Sequence, residues 1–203
     1  MKKPRSNDAK TPADREGEIL DAARCIFSRR GFEAATIQEV AEAAGIAKGT
    51  VYLYFKSKDE LYAAALTRGL EELHEESAAA MARESTAAGK LRAFIATRFS
   101  YLERHNEFFR IYFVELGHSL IRTEGKDAAK ERLYRSQAEV LAKVIENGIA
   151  AGELRPVRPA MTALMVLDLT RSTLVHRLRG WSKATAAEDE AHLFDLLWKG
   201  IER

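Results

Sequence analysis

The chain has 203 residues and a mass of 22.7 kDa, is 46% hydrophobic and 31% charged, and carries a net charge of +2. That is enough apolar material for one large domain or two small ones, and too little charge bias to imply a nucleic-acid partner by itself. The charge distribution says slightly more: residues 1–58 hold eleven Lys and Arg against eight Asp and Glu, +3, which leaves −1 for the remainder. A single cysteine, Cys25, excludes an internal disulfide and fits a reducing compartment. The N-terminus lacks the apolar core of a signal peptide and no run approaches membrane-spanning length, so the expected location is cytoplasmic with no membrane partner. Four prolines and twelve glycines among abundant Ala, Leu, Glu and Arg predict an all-α protein.

In chain order, Thr11-Pro12-Ala13-Asp14 reads as a capped helix start. Ile19, Ala22, Ala23, Ile26 and Phe27 form the buried stripe of the first helix, which ends at Gly31. A second helix opens with the capping box Thr36-Ile37-Gln38-Glu39, shows its apolar stripe at Ile37, Val40, Ala41 and Ala44, and stops at Gly45. A third short helix follows at once, AKGTVYLY, with Val51 as its main inward residue. Two helices joined by a short Gly-containing turn predict a helix-turn-helix. Lys48, Thr50, Tyr52 and Tyr54 of the third helix are hydrogen-bond donors, with few acids near them, which suits an element lying in a DNA major groove. The predicted core of this unit is Ile26, Phe27, Ile37, Val40, Ile46, Val51 and Phe55.

A third box, Ser57-Lys58-Asp59-Glu60, opens a long helix to about residue 83, with Leu61, Ala65, Leu70 and Leu73 inward. Residues 86–89 read as a loop, and further helices are expected near 90–104, 106–119, 127–151, 159–179 and 187–202, the last opened by the box Thr185-Ala186-Ala187-Glu188. The expected organisation is a DNA-binding domain with its N-terminal arm over 1–56, and a larger helical domain over 57–203. About nine helices are expected in all.

The last two helices are apolar on two sides, which calls for two surfaces to bury them. One face holds Leu164, Leu167, Arg171, Leu174, Val175 and Leu178, joined by Leu193, Leu197 and Ile201 of the final helix. These are assigned to a homodimer seam, a four-helix bundle across a twofold axis, with a fully internal hairpin as the alternative. Aromatics over 90–119 suggest an apolar cavity: Phe94, Phe109, Tyr112, Phe113 and Leu116 with His118, closed by Met161, Met165, Asp168 and Leu169. For any single one of these aromatics a packed core is the better explanation, and an ion pair explains Asp168 and Arg171.

With this head and an all-helical remainder, the chain resembles the TetR family of bacterial transcriptional regulators. The resemblance rests on residues 15–62, chiefly Thr36–Gly45, Lys48–Phe55 and Lys58-Asp59-Glu60-Leu61. It implies that Lys48, Gly49, Thr50 and Tyr52 face the groove, while Thr36, Tyr54 and Lys58 meet phosphates. It also implies a dimer on a palindromic double-stranded operator, released when a small-molecule effector tilts helix 57–83. An aromatic-rich pocket favours a bulky apolar or amphipathic effector. No cofactor or metal is expected, since the five histidines lack ligand spacing. The competing readings are an effector-independent DNA-organising protein of the same fold and, further off, an all-α enzyme.

Overall fold

The computed structural model describes residues 11–106, 108–110 and 128–203, and these divide into two compact units that meet in sequence at Arg68 and Gly69. The first unit contains α1 (Pro12–Ala34), α2 (Ile37–Ala43), α3 (Lys48–Tyr54) and the start of α4 (Lys58–Ala82). Thr11 and Thr36 form complete capping boxes with Asp14 and Glu39, satisfying amide groups that the first turn leaves without intrahelical partners. At Ser57 only half of the expected box forms. Its hydroxyl accepts from Glu60 N at 3.1 Å, but the Glu60 carboxylate reaches one residue further back, to Lys56 N at 2.7 Å. Gly31 interrupts α1 at φ 75°, and one more turn carries the helix to Ala34.

Gly45, at φ 67°, ends α2 in a Schellman motif: Ile46 N donates to Ala41 O at 2.9 Å and Gly45 N to Glu42 O at 3.1 Å. This tight reversal brings α3 across α2, where Ala41 is small enough to be buried at the crossing. The core of the unit is Ile19, Leu20, Ala23, Phe27, Val40, Val51 and Phe55, completed by Leu61, Tyr62, Ala65 and Leu66 of α4. Ile26 and Ile46, expected inside, are half-exposed. Their places are taken by α4, whose Tyr62 ring meets Phe27 and Phe32 edge-on at 4.9 Å each. The early turns of α4 therefore belong with α1, and the division falls at 68/69 inside α4 rather than at 56/57.

The second unit comprises the rest of α4, α5 (Ala87–Arg104), helical residues 108–110, α6 (Ala128–Ala150), α7 (Pro159–Leu178) and α8 (Ala186–Ile201). The expected loop over 86–89 is instead a helix start, because Thr86 caps α5 through Gly89 N at 3.0 Å and Glu153 accepts from Ala87 N at 2.7 Å. Thr185 and Glu188 form the expected box at α8. Tyr101, Phe108 and Phe109 pack as a cluster of edge-on rings with centroids 5.3–6.0 Å apart. Phe108 sits directly on Gly69, where an added Cβ would come within 2.3 Å of the ring. Tyr101 donates to Gly69 O and to Glu72. Arg98 is buried, with its guanidinium 4.4 Å over Phe94 and bonded to Gln137. Among the described residues no strand forms beyond the isolated bridge Leu154–Glu202, and no helix is long and apolar enough to cross a membrane.

Candidate nucleic-acid interface

The candidate surface is built on α3. One residue of its seven, Val51, is buried, and that residue anchors the helix to the core. At 100° per residue the remaining positions fan outward: Lys48, Gly49, Tyr52 and Leu53 are exposed, and Thr50 and Tyr54 half-exposed. No acid lies within the helix. The surface thus offers an ammonium, a hydroxyl and two phenols to base edges and phosphates, without like charge to repel them. No neighbouring group stands within 4 Å of where a Gly49 Cβ would lie, so the backbone can come close to a ligand on that side.

The flanking residues are less free than the sequence suggested. Lys58 Nζ donates to Phe32 O at 2.8 Å and to Glu33 O and Ala35 O at 3.2 Å each, and lies 4.4 Å over the Phe32 ring. Its ammonium satisfies the carbonyls left open at the end of α1. A phosphate contact would have to displace one of these bonds. Thr36 is exposed, but its hydroxyl accepts from Glu39 N at 3.2 Å and donates to the Glu39 carboxylate at 2.9 Å. These bonds, the Thr36 hydroxyl first, hold the Glu39 carboxyl below its ordinary range, and Arg30 pairs with it at 2.9 Å. The structure thus shows Thr36 and Lys58 as parts that hold α2 and α4 in place.

The expected effector and dimer residues are distributed differently from the prediction. Phe94 and Phe109 are buried in the second unit, while Tyr112, Phe113, Leu116 and His118 lie outside the described residues. Met161, Met165 and Leu169 do not close an internal cavity. They are 42, 53 and 42% exposed, and Asp168 beside them is exposed and bonded to Tyr134 and Arg171. Conversely, Leu167, Leu174, Leu193 and Ile201, expected at the seam, are buried within this chain. Leu164, Arg171, Val175, Leu178 and Leu197 are half-buried. Two apolar faces were legible on α7, but the sequence did not tell which faces inward. The inward one is Ala163, Val166, Leu167, Thr170 and Leu174, where Ala163 and Thr170 are small enough for close helix packing.

One surface cleft of about 440 Å³ lies between α1 and the start of α4, lined by Ala13, Asp14, Gly17, Glu18, Asp21 and Arg68. Its acidic walls suit neither DNA nor an apolar effector. Arg68 lies against Gly17, where a Cβ would come within 2.7 Å of its guanidinium.

A short donor-rich helix, held outward by one buried valine and joined through a glycine turn to a capped partner, makes this chain a helix-turn-helix DNA-binding regulator. The model of bacterial regulatory proteins of the tetR family matches residues 19–65, and that of the tetracyclin repressor-like C-terminal domain matches 84–175. The HTH-type transcriptional regulator YfiR of Bacillus subtilis is 31% identical over 73% of this chain and 72% of its own length. The HTH-type transcriptional repressor KstR2 of Rhodococcus jostii is 28% identical over 76% and 75%. The FadR regulator of Bacillus subtilis, solved in complex with stearoyl-CoA, shares the fold at a TM-score of 0.79 and 21% identity, covering 92% of this chain and 99% of that one. The chain belongs to the TetR family of transcriptional regulators, and it is a regulator rather than an enzyme.

Proposed function

We propose that this ligand-responsive regulator acts as a homodimeric repressor, binding a palindromic operator through two copies of α3 and releasing it when an amphipathic molecule with a long apolar part is bound. The observation that carries the assembly is the row Met161, Met165 and Leu169 on α7, exposed to water together with Leu196 of α8, which is 59% exposed. Large apolar side chains left in water on two successive helices mark surfaces made to be covered. A second copy of the same pair buries both rows at once around a twofold axis. The seam is therefore reassigned to this row, flanked by the half-buried Leu164 and Leu197.

Support for the effector class comes from the aromatic interior of the second unit and from the acyl-CoA in the FadR relative's complex. Because α4 contributes residues to both units, a ligand in the second unit that biases α4 would change how two α3 helices match successive grooves, roughly 34 Å apart. Native mass spectrometry of the gently purified protein, followed by operator titration with stearoyl-CoA, tests both parts. A two-chain mass and operator release support the reading. A monomer at micromolar concentration overturns the assembly, and unchanged operator affinity at saturating ligand overturns that effector class.

A further inference from the structure

We infer that Leu53 reads thymine, its side chain contacting C5-methyl groups in the major groove and so setting part of the operator sequence. The inference rests on α3 being the helix that enters the groove. Leu53 is 83% exposed, the most exposed large hydrophobic residue among those described. A lone exposed leucine is ordinary, so its placement has to decide. On α3, Gly49 and Leu53 are four residues apart, and both point about 160° away from Val51. They therefore form the outermost ridge of the helix, and any surface that α3 docks on meets that ridge first.

The two ends of this ridge have complementary shapes. Nothing stands within 4 Å of where a Gly49 side chain would be, so the backbone there can approach base edges closely. Four residues further on, about 6 Å along the axis, the Leu53 side chain projects from the same ridge. Lys48 and Tyr52 on one flank and Thr50 on the other are polar or amphipathic. Leucine can neither donate to a phosphate nor accept from an amino group. The base-edge feature in the major groove that rewards an isobutyl group is the thymine methyl. A protein partner fits this ridge poorly, because the neighbours of Leu53 on α3 form no contiguous apolar patch.

The test uses the full chain. An operator is first selected from random duplex DNA, and each thymine is then replaced singly by uracil, which removes only the methyl. The unmodified protein should lose about fourfold in affinity at one or two positions per half-site, the equilibrium equivalent of one buried methyl-sized group. With Leu53→Ala those same replacements should cost nothing, while uracil elsewhere in the site behaves as before. Because Leu53 is exposed, Leu53→Ala should melt with the unmodified protein, which separates a lost contact from a lost fold. The proposal is overturned if the uracil penalties are the same in both proteins, if no thymine position is sensitive, or if Leu53→Ala changes the sedimentation mass and so betrays a protein interface. Failure of the groove-facing reading of α3 looks different: Lys48→Ala and Tyr52→Ala would then bind the selected operator normally.

Discussion

α3 and α7 both leave apolar side chains in water, but among different neighbours. On α3, Tyr52 and Leu53 stand beside Lys48 and Thr50, on a helix without acids. On α7, Met161, Met165 and Leu169 share their face with Asp168, whose charge Arg171 of the neighbouring face neutralises at 2.6 Å. The first face keeps a positive charge and unused donors, so it suits a polyanion with methyl groups in its groove. The second has spent its charges locally and offers flexible thioethers, which adapt to an apolar surface. Exposure alone does not identify a partner; the polar groups around it do.

The sharpest way to break this comparison is to place charge on the α7 row. Met165→Glu combined with Leu169→Glu should give a folded monomer by sedimentation. Operator affinity should fall on the order of 100-fold or more, since an unpaired carboxylate in an apolar seam costs several kcal/mol. If the double variant stays dimeric, the row is not the seam. On the α3 side, Lys48→Ala should weaken operator binding by about 10- to 100-fold in a gel-shift at fixed salt, with the melting temperature unchanged.

Two glycines extend the contrast to stability. Gly69→Ala drives a methyl into the Phe108 ring and should cost about 1–3 kcal/mol in urea unfolding. Gly49→Ala meets open space inside a helix and should stabilise by about 0.5–1 kcal/mol while weakening DNA binding. The smallest effect is a pH dependence in the second unit. Burial first, and the nearby Arg98 charge second, lower the His74 pKa below its ordinary value of 6.5. Below that value the unfolded chain takes up a proton that the folded chain resists, so stability should fall as pH drops from 6.5 toward the lowered pKa. His74→Gln should flatten the stability profile over that window in denaturant titrations.

The boundaries of α1, α2 and α8 were legible because a capping box is a local pattern: Thr11, Thr36 and Thr185 each find an acid three residues on. Ser57 has its acid at the same spacing, yet the Glu60 carboxylate prefers Lys56 N. The outward face of α3 was equally readable, since one buried valine orients a seven-residue helix. Lys58 and Thr36 were expected at phosphates because the family resemblance implies it. The Thr36 cap was legible from its acid three residues on, whereas only the folded surroundings show the Lys58 ammonium on the end of α1.

By itself the sequence determined an all-helical chain with a helix-turn-helix near its start, a donor-rich α3 with one inward valine and a final helix pair with two apolar faces. These follow from periodicity and capping, which act over a few residues. Tertiary structure decided which of the two α7 faces is spent in the core. Leu and Met have nearly equal reason to leave water, so hydrophobicity cannot choose between them. The choice falls to shape, because Ala163 and Thr170 let neighbouring helices approach on one side and leave Met161, Met165 and Leu169 outside on the other.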